Sequence, residues 1–236
     1  SYLQLKQDSE SFYCVLKALG EQGSHIAMTG MTSYEWIVAY FGTVNSGSVA
    51  VPLDVSLPAE EMCELIDRAD AAVFVVDEVR KDVIAIVRER CPKLKYVISM
   101  QQKESTDTLL SFSQLLKEHA GSFDHWANPE ALCTIMFTSG TTGKSKGVML
   151  TQRNMAENAT CLDMKIPART VVLSVLPIHH AYCLSMDILK GISLGSVICI
   201  NDSLIRVAKN IKLFEPNMIL MVPLMIETLA KKLEEA

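Results

Sequence analysis

From Thr134 to Arg153 the sequence reads TIMFTSGTTGKSKGVMLTQR. Two apolar, strand-like runs enclose Thr138-Ser139-Gly140-Thr141-Thr142-Gly143-Lys144-Ser145-Lys146-Gly147. Glycines let backbone N–H groups come close to an anion because no Cβ intervenes. Thr138, Ser139, Thr141 and Thr142 add hydroxyl donors, and Lys144 and Lys146 add positive charge. Charge-assisted hydrogen bonds contribute ~1.5–3 kcal/mol each, so such a run suits a polyphosphate. The plain alternative is a flexible hairpin loop. A Walker loop needs Gly-x-x-x-x-Gly-Lys-Ser/Thr leading at once into a helix. Gly143-Lys144-Ser145 fits its end, but Thr138 stands where the first glycine belongs, and the strand-like Gly147-Val148-Met149-Leu150 comes next.

Strands and helices alternate around this loop. Helical spacing covers 9–19, 34–45, a segment opened by Pro58 and running to about Arg68, 79–90, 109–119, 152–162, 183–190, 204–214 and a stretch from Pro223. Strand-like runs fall at 25–28, 49–53, 72–76, 96–99, 132–137, 148–150, 171–175, 196–200 and 218–222. The strands are almost wholly apolar, which predicts an α/β fold with mostly parallel sheets covered by helices on both faces. A break at Lys165-Ile166-Pro167, together with the family resemblance given below, predicts two subdomains, 33–165 and 1–32 with 167–236. The closing AKKLEEA reads as the cut end of a helix with no later element to pack against.

Composition narrows the partners. Of 236 residues, 49% are hydrophobic and 21% charged, with a net charge of −5 and no basic patch, which argues against nucleic acid. No apolar run approaches the ~18 residues of a membrane span. Seven widely spaced cysteines without a C-x-x-C read as buried, reduced thiols of a cytoplasmic protein rather than disulfides or metal ligands.

The order strand, Thr-Ser-Gly-Thr-Thr-Gly, x-x-Lys-Gly, strand resembles the ATP-binding loop of the adenylate-forming enzymes: acyl-CoA synthetases, luciferases and amino-acid adenylation domains. Two positions depart from that pattern: Ser145 stands where proline is usual, and Phe137 where tyrosine is frequent. Ser1-Tyr2-Leu3-Gln4-Leu5, Gly47 to Asp54 (GSVAVPLD) and Leu176 to Tyr182 (LPIHHAY) resemble further segments of the family in the same order. The similarity covers essentially the whole chain, 1–236, but only the front part of the family's length.

The resemblance implies an acetyl-CoA synthetase-like N-terminal region. It implies that Thr138, Ser139, Gly140, Thr141, Thr142, Gly143 and Lys146 hold the β- and γ-phosphates of ATP, with Mg²⁺ balancing charge and no metal ligand assigned to the chain. His180 matches the family's Leu-Pro-x-x-His position, which the resemblance implies lies beside the acyl pocket and the α-phosphate, and is the candidate catalytic residue. His179 reads as structural. The reaction implied is acyl-adenylate formation, then thioester formation with coenzyme A. The absence of Phe-Asp-x-Ser favours an acyl or aryl acid over an amino acid, and Leu184, Met186 and Ile188 fit a fatty acyl chain as well as plain core packing. Amino-acid, D-alanine or aryl-acid ligases acting on a carrier-protein thiol are the alternative within the class. A non-catalytic nucleotide-binding scaffold is the alternative outside it. Tyr-Gly-x-Thr-Glu, the ribose-binding Asp, the hinge and the C-terminal catalytic Lys are absent, so the chain reads as a fragment that does not complete the reaction alone.

Overall fold

The computed structural model describes residues 1–124, 128–138, 145–162 and 165–234. By contact the chain divides into Ser1–Met155 and Ala156–Ala236.

The first unit is built on a seven-stranded sheet. Its strands are β1 (His25–Thr29), β2 (Val49–Leu53), β3 (Ala71–Val76), β4 (Tyr96–Ser99), β5 (Leu110–Ser111), β6 (Leu132–Thr138) and β7 (Lys146–Thr151). They lie in the order β5-β4-β3-β1-β2-β6-β7. Every neighbouring pair is parallel except β6 and β7, which are antiparallel. All residues of β2 and β3 are buried, as central parallel strands covered on both faces must be.

Helices α1 (Tyr2–Ala18), α2 (Tyr34–Asn45), α3 (Ala59–Arg68), α4 (Ile84–Arg90) and α5 (Phe112–Glu118) cover the sheet, and α6 (Gln152–Thr160) comes directly after β7. Met62, Leu65 and Ile66 of α3 and Val87 of α4 pack with Val51, Leu53, Phe74, Val76 and Ile135 in one core. A fully buried aliphatic or aromatic side chain of this kind contributes about 1.5–3 kcal/mol. Phe12 of α1 meets Phe112 of α5 at 5.1 Å between ring centroids. Gly42 lets α1 and α2 approach, since a Cβ there would lie 2.7 Å from the Phe12 Cβ and 2.9 Å from the Ser9 carbonyl oxygen.

The second unit holds a parallel three-stranded sheet, β10-β8-β9, formed by β8 (Val171–Ser174), β9 (Val197–Ile200) and β10 (Met218–Ile219). A π-helix, Cys183–Leu189, runs into α7 (Lys190–Ser193); α8 (Val207–Phe214) and α9 (Pro223–Glu234) complete it. Among the described residues, no helix is long and apolar enough to cross a membrane.

Several elements differ from the sequence-based expectation. Helix α1 begins at Tyr2 rather than Ser9, because Ser1 caps it by accepting from the Gln4 N–H and Lys6 pairs with Glu10 at 2.7 Å. The 79–90 helix is broken into a 3₁₀ turn, Glu78–Val83, and α4. Arg80 leaves helical geometry at φ −119° and donates to the Val55 and Leu57 carbonyls. The 109–119 helix opens as β5, with Ser111 capping α5 by accepting from the Gln114 N–H at 3.2 Å. The 183–190 helix is π-helical. The N-terminal residues 1–32 sit in the first unit, not with 167–236: β1 lies between β3 and β2, and α1 packs on α2 and α5. All seven cysteines are free, but Cys161 is exposed, and Cys14 and Cys199 are only partly buried.

Candidate functional site

The glycine-rich stretch connects β6 to β7 at the edge of the large sheet. Phe137 pairs with Gly147 and Thr138 with Lys146 across the antiparallel ladder. An antiparallel strand succeeds the loop, so the geometry is a hairpin and not a Walker loop capping a helix. Directly opposed residues of an antiparallel pair project from the same face. Thr138 and Lys146 therefore project from the same face at the hairpin mouth, and both residues are exposed. The Thr138 hydroxyl also donates to the Lys146 carbonyl at 3.5 Å. Among the described residues no ion pair takes up Lys146. Ser139, Gly140, Thr141, Thr142, Gly143 and Lys144 lie outside the described residues.

At Gly147 a Cβ would crowd the Ile135 side chain, lying 3.1 Å from its Cγ2, and would touch Phe137 Cε1 at 3.4 Å. From α3, the Arg68 guanidinium sits 5.5 Å from the Phe137 ring centroid and donates to the Ser145 carbonyl at 2.8 Å. Nothing in the sequence pointed to Arg68, because a basic residue in the last turn of a helix is ordinary dipole complementation.

His180 belongs to the second unit and is exposed. It closes a turn in which its N–H donates to the Pro177 carbonyl at 3.2 Å. Its own carbonyl accepts from the Leu184 N–H at 3.0 Å, which starts the next helix. The His179 and His180 rings stand 4.2 Å apart and tilted by 47°. Behind the turn, the Cys183 thiol donates to the Leu176 carbonyl at 3.0 Å and lies 3.6 Å from the Ser174 hydroxyl and 3.8 Å from Asp187 Oδ2. Burial raises the Cys183 thiol to about 12 and the Asp187 carboxyl to about 6. Asp187 is fully buried, and its Oδ1 has no hydrogen-bond partner among the described residues. A lone acid inside the apolar run CLSMDIL is the sequence signal that could have drawn attention to it. Leu184 and Ile188 are fully buried core residues, and Met186 is partly buried.

Two other features bear on ligands. A cleft of about 440 Å³ opens at the C-terminal ends of β3 and β4, lined by Asp77, Glu78, Ser99, Gln101 and Glu104. Strands β1 and β2 separate it from the hairpin. Among the described residues, no group of three or more His, Cys, Asp or Glu side chains is placed to hold a metal ion.

The fold matches solved structures of adenylate-forming enzymes. A fatty acyl-CoA synthetase of Mycobacterium tuberculosis superposes with a TM-score of 0.83 at 21% identity, over 96% of this chain and 44% of that one. ATP-bound MatB from Rhodopseudomonas palustris gives 0.80 at 24% identity, over 95% and 44%. Among curated proteins, the long-chain-fatty-acid–CoA ligase ACSBG1 of Mus musculus is 26% identical over 257 residues, covering 99% of this chain and 35% of that protein. The chloroplastic long-chain-fatty-acid–acyl-carrier-protein ligase AEE15 of Arabidopsis thaliana is 27% identical over 256 residues, covering 97% and 34%. The chain thus spans about a third of the length of these curated relatives. The sequence profile described as AMP-binding enzyme matches residues 1–236, and the chain belongs to that family.

Proposed function

We propose that this chain is the phosphate-binding part of an ATP-dependent acid–thiol ligase, and that the intact protein is a fatty acid–CoA ligase. The observation that carries this reading is the β6–β7 hairpin, which pairs Thr138 with Lys146 on one face at the mouth of a glycine- and hydroxyl-rich loop. Ser139 to Gly143 complete the donor set in this proposal by sequence alone.

In the first half-reaction a carboxylate oxygen attacks the α-phosphorus of ATP. The new O–P bond forms as the bond to the β-phosphate oxygen breaks and pyrophosphate departs. Positioning and electrostatic stabilisation carry most of such a step. Lys146 balances the charge that gathers on the leaving pyrophosphate, and Thr138 donates a hydrogen bond at the same mouth. His180, exposed at the end of its turn, donates an N–H to an oxygen of the carboxylate or the adenylate. In the second half-reaction a thiol sulfur attacks the acyl carbon and AMP leaves. Mg²⁺, when bound to the phosphate oxygens, neutralises part of their charge; Thr138 and Lys146 suit its nucleotide complex as donors to phosphate rather than as metal ligands.

Both the acyl acceptor and the acid rest on the relatives. The mouse ligase supports a fatty acid with coenzyme A. The Arabidopsis ligase, at similar identity, supports a second reading in which a carrier-protein thiol is the acceptor. Seven free cysteines fit a reducing compartment such as the cytoplasm.

The test is ATP–pyrophosphate exchange by the intact protein with fatty, aryl and amino acids in turn, and then thioester formation with coenzyme A or acyl-carrier protein. Exchange stimulated by a fatty acid is the expected result. Exchange with none of the acids overturns the ligase reading and leaves the non-catalytic scaffold.

A further inference from the structure

Arg68 reaches the hairpin from a different element. It ends α3, where its Nη1 stands 3.5 Å from Glu64 Oε1, one turn back on the same helix. The other side of the guanidinium meets both strands of the hairpin. Nη2 donates to the Ser145 carbonyl at 2.8 Å, and the central carbon lies 5.5 Å from the centre of the Phe137 ring. Phe137 is the penultimate residue of β6, and Ser145 immediately precedes β7. One side chain therefore holds the last turn of a helix and both strands flanking the loop.

The peptide bond makes this contact directional. The Ser145 carbonyl and the Lys146 N–H belong to one planar unit, so an arginine that fixes the carbonyl also fixes the plane from which Lys146 departs. Serine has no ring to restrict φ and supplies no rigidity of its own at this position. The guanidinium suits the task because it is planar, carries its donors in a fixed fork and stacks on aromatic faces; lysine shares only its charge. A cation within 6 Å of a ring centroid contributes attraction as well.

We propose that Arg68 is a positioning residue for nucleotide-phosphate binding: by holding the Ser145 carbonyl and the Phe137 ring, it sets the direction in which Lys146 projects at the hairpin mouth. This rests on the ligase reading above, in which Lys146 faces the phosphates. Arg68 acts through Lys146 and the backbone, with Nη2 directed at the Ser145 carbonyl and Nη1 at Glu64.

The test compares Arg68→Gln and Arg68→Lys with the parent in the intact protein, by ATP–pyrophosphate exchange with a saturating carboxylic acid and by thermal unfolding. Arg68→Gln is expected to raise KM for ATP roughly five- to tenfold, with KM for the acid and the unfolding midpoint unchanged. Arg68→Lys is expected to recover little of the loss. An unchanged KM for ATP, or an equal rise in both KM values, overturns the proposal. Full rescue by lysine also overturns it, because charge alone would then suffice. If the parent catalyses no exchange with any acid, the ligase reading falls, and native-state trypsin digestion decides whether the brace exists. Cleavage after Lys144 or Lys146 several times faster in Arg68→Gln than in the parent, with other sites unaffected, supports the brace; equal rates overturn it.

Discussion

Replacing Asp187 with asparagine is expected to stabilise the protein above about pH 6 and to leave it unchanged near pH 4. The carboxyl has no exposed surface, and burial lifts its pKa from 3.8 to about 6, while Ser174 and Cys183 pull it partly back. A shift of about two units corresponds to roughly 3 kcal/mol at 1.36 kcal/mol per unit. In the unfolded chain this acid ionises near pH 4, and in the folded chain near pH 6. The stability contributed by its neutral form is therefore fully present below about pH 4, declines as pH rises through about 6, and is flat above that. Asparagine keeps the shape of the protonated acid and does not titrate. The neighbouring Cys183 thiol, raised to about 12, stays protonated throughout. Lys190, on the same helical segment, is buried with its ammonium donating to the Leu162 carbonyl. For a protein of this size each kcal/mol moves the unfolding midpoint by about 2–4 °C, so Asp187→Asn should unfold roughly 6–12 °C above the parent at pH 8. Differential scanning calorimetry of both proteins across this range measures the gap. Other carboxylates titrate in both proteins, and their effects cancel in the difference. A gap that does not change with pH would refute the reasoning, because the substitution would then be acting through shape and not through ionisation.

Three further outcomes are expected. Lys146→Ala should slow ATP–pyrophosphate exchange by roughly 1–3 kcal/mol of transition-state stabilisation while Lys144→Ala does much less, and equal losses would remove the assignment of roles. Gly42→Ala should destabilise the first unit by roughly 1–3 kcal/mol, because the new methyl group meets the Phe12 side chain and the Ser9 backbone; an unchanged urea midpoint would contradict the close approach of α1 and α2. Cys161, the exposed thiol, should react with iodoacetamide before Cys91 and Cys183, whose thiols burial raises to about 12; peptide mass mapping gives the order of labelling.

The elements most legible in sequence were those whose pattern left one choice. Residues 34–45 carry a helical apolar face behind the cap Ser33, and 49–53 and 96–99 are short apolar runs between turns; all three have the predicted bounds. The hairpin was legible because glycines and hydroxyls between two strand-like runs point to a turn with donors. The rest depended on contacts from distant residues. Arg80 breaks a helix by reaching carbonyls more than 20 residues earlier, and β5 exists only by pairing with β4. The grouping of 1–32 failed because β1 gains partners on both sides from β2 and β3, which no local pattern encodes. Arg68 was invisible for the same reason: its role depends on Phe137 and Ser145, far along the chain.

The β6–β7 ladder also bears on how the chain folds. Its pairs lie close in sequence, whereas β1 must find β3, and β2 must find Thr134 from Ala50. Closing a short loop takes tens of nanoseconds and a hairpin about 1–10 microseconds, while distant pairings wait on a larger entropy loss. The hairpin proposed to bind phosphate can therefore acquire its register before the sheet exists, and join it afterwards as a preformed edge. Substitutions that weaken β6–β7 pairing should slow folding when this step precedes the barrier, and should mainly speed unfolding when docking onto β2 comes first.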